Sequence, residues 1–216
     1  MFSGGTNWAF EAGLHADGPA SFQTGPYIPG GPLTEAGDAS PYFGPVCAAI
    51  SESQGRAPPV PPPPAPKSHY MGVLDFTEYA TLWDALPLLT AAASGWSVWP
   101  PTLESLHFDR GYVLYVSSPT AEAVASDGSN LYIRDVRDRA YVFVNATAAR
   151  GGLSRVGVFQ RNLSDAWAHS PFIPVTVPSP RDATPDNVIL VLVESEGRAC
   201  FGPHLGADPK GLPAGE

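Results

Sequence analysis

The sequence predicts a mostly β protein, built as an antiparallel β-sandwich of jelly-roll type. Proline (25) and glycine (22) together exceed a fifth of the 216 residues, a load that punctuates helices and favours short strands joined by turns. Five runs in the C-terminal half are short, β-branched or aromatic, and bounded by Gly, Pro, Asn or Asp: Tyr112–Val116, Ala140–Val144, Val156–Phe159, Phe172–Val177 and Val188–Val193. No helical pattern separates them, which reads as a sandwich rather than a βα repeat. Apolar residues make up 44% of the chain and charged residues 15%, enough to build a core and too apolar for wholesale disorder.

From the N-terminus, residues 1–38 are turn-rich (Gly4-Gly5, Gly18-Pro19, Gly25-Pro26, Pro29-Gly30-Gly31-Pro32), with Phe2, Trp8, Phe10, Phe22 and Tyr27 spread among the turns. A helix is expected between Asp38 and Ser53, capped by Ser40 with Pro41 at its first position; Tyr42, Phe43, Val46, Cys47 and Ile50 share a face, and Pro45 argues against it. Residues 53–69 form a proline-rich linker with a polyproline II bias, read as a domain boundary in preference to an SH3-type ligand. A short helix over 81–93, broken near Pro87, precedes the strands.

A net charge of −9 with only 12 Lys+Arg argues against a nucleic-acid partner, which requires clustered cations. The densest basic cluster, Arg134, Arg137 and Arg139 interleaved with Asp135 and Asp138, reads as a salt-linked turn. No stretch approaches the roughly 18 apolar residues of a membrane span, and no leader-like segment opens the chain. Cys47 and Cys200 are far apart and are expected to be unpaired, while His15, His69, His107, His169 and His204 are scattered, so neither a metal site nor a cofactor is expected.

There is no GxSxG turn and no phosphate loop. Glycosidase chemistry requires two convergent carboxylates. Glu11, Asp17, Glu35 and Asp38 are available, but nothing marks two of them as a pair, and each alone reads as a solvated or capping carboxylate. Asn145-Ala146-Thr147 and Asn162-Leu163-Ser164 are N-glycosylation sequons, which point to the secretory pathway.

Five ordered motifs carry a resemblance. MFSGGTNWAF resembles the Met-Phe-x-Gly-Gly-Thr-Asn-Phe signature of glycoside hydrolase family 35, the lysosomal-type β-galactosidases and their paralogues. PLTEAGD (Pro32 to Asp38), RGYVLY (Arg110 to Tyr115), DRAYVFV (Asp138 to Val144) and LVESEGRACFG with KGL (Leu192 to Gly202, then Lys210 to Leu212) are similar to later motifs of the family, in the same order. The resemblance implies that residues 1–52 correspond to the last strand and helix of a (β/α)8 barrel. Residues 70–208 would then be the first all-β domain and 209–216 a tail. It further implies hydrolysis of terminal β-linked galactose. The family's two catalytic glutamates lie upstream of the GGTN motif, so the chain as given is expected to be inactive, a truncated start being the economical reason.

By the same resemblance Asn7, Phe10 and Tyr27 would border the sugar, and no catalytic residue is assigned. The implied partner is a β-galactoside or other carbohydrate, and the implied location is lysosomal, vacuolar or secreted. Three departures stand out. Phe10 occupies a position where many members carry a sugar-contacting tyrosine. The stretch Gly25–Gly30 keeps one tyrosine but lacks the aspartates usual there, and Ser195 replaces an asparagine. The alternative reading is a non-catalytic secreted β-sandwich that binds carbohydrate or protein.

Overall fold

The computed structural model describes residues 6–7, 10, 12–15, 19, 21–23, 25–26, 30–57, 72–89, 95–117, 130–144, 154–162, 164, 175–176, 189–200 and 202–213. In chain order the elements are β1 (Thr6–Asn7), β2 (Gly13–His15), β3 (Ser21–Gln23), β4 (Gly25–Pro26), α1 (Phe43–Gln54), α2 (Leu82–Leu89), β5 (Tyr112–Ser117), β6 (Asn130–Leu131), β7 (Arg139–Val144), β8 (Ser154–Gln160), β9 (Val175–Thr176), β10 (Ile189–Glu194) and β11 (Arg198–Ala199). The chain is mostly β with antiparallel sheets and few helices, as expected for a sandwich-type domain. It forms two compact units, Met1–Asn7 with Thr24–Ser94, and Trp8–Gln23 with Gly95–Glu216.

In the first unit β1 pairs antiparallel with β4, Asn7 opposite Gly25. The PLTEAGD motif is a tight turn. Thr34 donates its N–H to the Asp38 carbonyl (2.9 Å), and its Oγ1 accepts the Asp38 N–H (3.0 Å). Gly37 closes the turn at φ +86°, a conformation that favours glycine. Helix α1 begins two residues later than its sequence suggests. The N-cap is Tyr42 rather than Ser40, and Phe43 rather than Pro41 is the first helical residue. Ser40 Oγ accepts the Tyr42 N–H, and Pro45 falls in the first turn, where a missing N–H costs nothing. Gly55 ends the helix in the left-handed conformation. Its expected apolar face buries no residue. Helix α2 opens on a reciprocal cap: Thr81 Oγ1 accepts the Asp84 N–H and donates to Asp84 Oδ2 (2.7 Å). It runs two residues past Pro87.

The second unit holds the core. Its main sheet has four antiparallel strands in the order β5-β10-β7-β8. Alternation along β7 sends Ala140, Val142 and Val144 inward and Arg139, Tyr141 and Phe143 outward. Central strand β10 buries Ile189, Leu190, Val191 and Val193, which explains its unbroken apolar run. Val113, Val142, Val193 and Phe159 pack with Leu103, Ile133 and Val136 into one cluster. Each such fully buried side chain contributes roughly 1.5–3 kcal/mol. Strands β6 and β9 form a short antiparallel pair. In the third sheet, β11-β2-β3, β2 runs parallel to β11 and antiparallel to β3. Four of the five expected strands match β5, β7, β8 and β10. Of Phe172–Val177 only Val175–Thr176 falls within the described residues.

Candidate functional site

A cluster of buried charged residues accompanies the apolar core of the second unit. Asp138, at the mouth of β7, is fully buried. Its Oδ1 accepts from Arg161 (2.9 Å) and Lys210 Nζ (3.0 Å), and its Oδ2 from Lys210 Nζ (2.9 Å) and the Glu196 N–H (2.9 Å). Asp208 faces the same cations, Lys210 Nζ at 2.7 Å and Arg161 at 2.9 Å, and also Arg137 at 3.1 Å. Arg137 in turn reaches Asp135 at 2.9 Å. Three acids and three bases therefore form a neutral hub. The salt-linked turn read from the sequence is present as Arg137 and Asp135, but it is the rim of something deeper.

Neutrality is what makes such burial tolerable, because an unpaired ion in an apolar interior costs several kcal/mol. Burial pushes the Asp208 carboxyl up. Lys210, Arg161 and Arg137 outweigh it and hold the group below the usual carboxylate range. Burial likewise works against the Arg137 guanidinium, and Asp135 and Asp208 more than compensate, holding its pKa above the usual value. The hub fastens the C-terminal segment to the sheet. The Leu103 N–H donates to the Lys210 carbonyl (2.9 Å), and Arg137 and Gly211 exchange both backbone hydrogen bonds (2.9 and 2.8 Å). Gly211 sits at φ +108° against the Tyr115 hydroxyl, where a Cβ would collide. That hydroxyl donates to the Pro101 carbonyl (2.7 Å) and accepts the Leu212 N–H (3.1 Å).

A second polar row crosses the opposite face of the main sheet at its end. Glu194 pairs in register with Tyr112 on one side and Arg139 on the other, and Arg139 with Gln160. Glu194 accepts from the Tyr112 and Tyr141 hydroxyls (3.3 and 3.1 Å). Glu196 accepts from Arg139 (2.7 Å) and from Gln160 (2.9 Å). Burial raises the Glu196 carboxyl above its usual value despite these donors. The Ser195 hydroxyl, where the resemblance puts an asparagine, is buried with no hydrogen-bond partner among the described residues.

Of the residues assigned to the sugar, Asn7 lies half-buried in β1 of the first unit, and Phe10 lies in the second, half-buried with its ring edge-to-face on Tyr112 (centroids 5.1 Å, interplanar 83°). Tyr27 and the sequon residue Asn145 lie outside the described residues. Asn162 is half-buried after β8, and its Oδ1 accepts the Ser164 N–H (2.9 Å), an Asx turn. Glu35 is exposed and Asp38 half-buried, while Glu11 and Asp17 lie outside the described residues. Among the described residues no group of His, Cys, Asp and Glu is placed to hold a metal ion, and no helix is long and apolar enough to cross a membrane. Cys47 and Cys200 are free thiols.

Fold and hub together define a mostly antiparallel β domain cross-linked inside by a buried cluster of paired charges. The sequence profile for "Beta-galactosidase, first all-beta domain" matches residues 100–215. The chain is 30% identical over 98% of its length to a mouse β-galactosidase-1-like protein, of which it covers 30%. It is also 30% identical to the β-galactosidases of Xanthomonas manihotis and Homo sapiens, again over 98% of its length, covering 32% and 28% of them. The chain belongs to the β-galactosidase-like proteins of glycoside hydrolase family 35. It spans about three tenths of the length of these relatives.

The family-like motifs of the β domain prove to be parts of the two polar networks. DRAYVFV supplies Asp138 and Arg139, ESEGRAC supplies Glu194 and Glu196, KGL supplies Lys210 and Gly211, and RGYVLY supplies Tyr112 and Tyr115. What sequence reasoning missed is Arg161 and Asp208. Neither lies in one of these motifs, and nothing in the flanking residues marks either as buried.

Proposed function

We propose that this chain is framework of a β-galactosidase-type hydrolase that releases terminal β-linked galactose by retaining double displacement. In this reading residues 1–52 are the end of a catalytic barrel, 53–69 the linker and 70–208 the first all-β domain. Asn7, Phe10 and Tyr27 border the sugar, and the two catalytic glutamates are not among these residues. The carrying observation is that similarity to named β-galactosidases extends over 98% of the chain, across both the GGTN segment and the β domain. A lysosomal, vacuolar or secreted location belongs to the same reading, with glycans on Asn145 and Asn162.

The test is hydrolysis of p-nitrophenyl β-galactoside by the purified chain. Turnover should stay at background, because covalent glycosidase chemistry needs both carboxylates. Turnover that Glu11→Gln or Glu35→Gln abolishes would place the chemistry within this chain and overturn the proposal. The second reading, a non-catalytic module, draws on one observation: Asp135, Asp138, Asp208, Arg137, Arg161 and Lys210 of the β unit are committed to internal ion pairs.

A further inference from the structure

We infer that the all-β unit is the positioning scaffold for the segment carrying Phe10, with Tyr112 as the positioning residue for that ring. The functional meaning of this scaffold rests on the proposed sugar-bordering role of Phe10; the scaffold itself rests on three separate contacts.

The first is the aromatic edge. Phe10 meets Tyr112 at 5.1 Å and 83°, the geometry in which a positive ring edge meets a negative ring face. Tyr112 is itself held, because its hydroxyl donates to Glu194 on the neighbouring strand β10, and Glu194 is shared with Tyr141 on β7. The ring that Phe10 touches is thus fixed by the centre of the sheet.

Strand addition is the second contact. Residues 13–15 and 21–23 form a hairpin that extends β11 in parallel, with Arg198 opposite Gly13 and Ala199 opposite Leu14. The Arg198 N–H donates to the Ala12 carbonyl (3.2 Å) and the Cys200 N–H to the Leu14 carbonyl (3.4 Å). Leu14 is fully buried and Ala12 nearly so. Backbone hydrogen bonds here join positions more than 180 residues apart, so local sequence preference does not account for the hairpin's place.

The third contact is a glycine. Gly197 adopts φ +136°, and a Cβ there would overlap the Ala12 carbonyl oxygen. The close approach of the two backbones therefore depends on this residue having no side chain. Gly197 stands in the same motif as Glu194, so one short segment of the β unit supports both the aromatic edge and the added strand.

Amide hydrogen exchange on the full 216-residue chain tests this, comparing the parent with Tyr112→Ala, Tyr112→Phe and Gly197→Ala. In Tyr112→Ala, exchange at Leu14 and His15 should quicken by about threefold to tenfold, the range expected for losing an aromatic pair. Amides of β7 and β10 should stay at parental rates. Tyr112→Phe should restore part of the protection, since it keeps the ring that Phe10 meets but loses the hydroxyl tie to Glu194. Gly197→Ala should strip protection from β2 while the main sheet holds. If that variant unfolds altogether, the two Tyr112 variants decide alone. The inference is overturned by unchanged exchange at Leu14 and His15 in Tyr112→Ala, by equal acceleration in β2 and β7, or by a failure of Tyr112→Phe to rescue. No sugar enters this experiment. Failure of the galactosidase reading would show in the hydrolysis assay, and failure of the scaffold would show here.

Discussion

Two parts of this molecule invert the usual rule of burial. Arg161 and Lys210 are fully enclosed, whereas Phe76 and Tyr79 are 96% and 94% exposed and Trp96 stands wholly in solvent. Residues 72–81 have no regular structure, and Val73, Leu74, Phe76 and Tyr79 are all open. Trp96, Val98 and Trp99 in the other unit are open as well. The contrast shows that partners, not polarity, decide what is buried. Arg161 and Lys210 go inside because Asp138 and Asp208 lie within 3.0 Å of them. The aromatic run stays outside because no described residue covers it. Surfaces of that kind are contact or aggregation sites rather than ordinary scattered exposure.

The largest expected effect breaks the enclosed side of this contrast. Lys210→Met keeps the aliphatic stem but removes the charge from two buried carboxylates. It should cost about 3–5 kcal/mol, read as a lowered urea midpoint at unchanged slope. A loss below about 1 kcal/mol would mean that the hub is packing rather than electrostatics.

Tyr115 tests an intermediate case, a half-buried polar ring at the edge of the hub. Burial is the main cause that raises its hydroxyl from 10.0 to about 12; the Glu104 charge adds to it and the Leu212 N–H works against it. A folded value above the unfolded one means the stabilisation is complete below about pH 10 and is lost as pH rises towards 12. The lost amount is roughly 2–3 kcal/mol. Urea titrations at pH 8, 10 and 11.5 should show this alkaline decline, and Tyr115→Phe should flatten it from a lower starting stability. A decline of equal depth in Tyr115→Phe would assign it to other groups.

The smallest effect lies on the exposed side. Phe76→Ser and Trp96→Ser should each change stability by less than about 0.5 kcal/mol, as surface substitutions do. Both should reduce self-association in sedimentation velocity at high protein concentration. A marked drop in melting temperature would show that these rings are covered in solution, and the contrast would fail.

The two helices show how local chemistry carried part of the reading. Gly55 ends α1 in the left-handed conformation that its residue type favours, whereas Ser40 stands two residues before the actual N-cap, Tyr42, and ties down the approach to the helix. Its apolar stripe misled, since a stripe says that a face can be buried and not that something lies against it. In the sheet both inner strands were legible as runs of strand-forming residues, Arg139–Val144 turning alternate side chains inward and Ile189–Glu194 burying four of its six. Phe10 was legible as a ring in a special loop. That its neighbour would be Tyr112 was not, because nothing local links positions 102 residues apart.

By itself the sequence determined the β-rich class, the positions of the long strands, the turn glycines and the lineage, since each depends on residue type at short range. Tertiary structure alone decided that Asp138, Arg161, Asp208 and Lys210 meet, and that residues 13–23 join the strand at Arg198–Ala199. The reason is physical. A buried charge is stable only through opposite charges brought from distant segments, and a strand edge accepts whichever backbone the fold delivers to it.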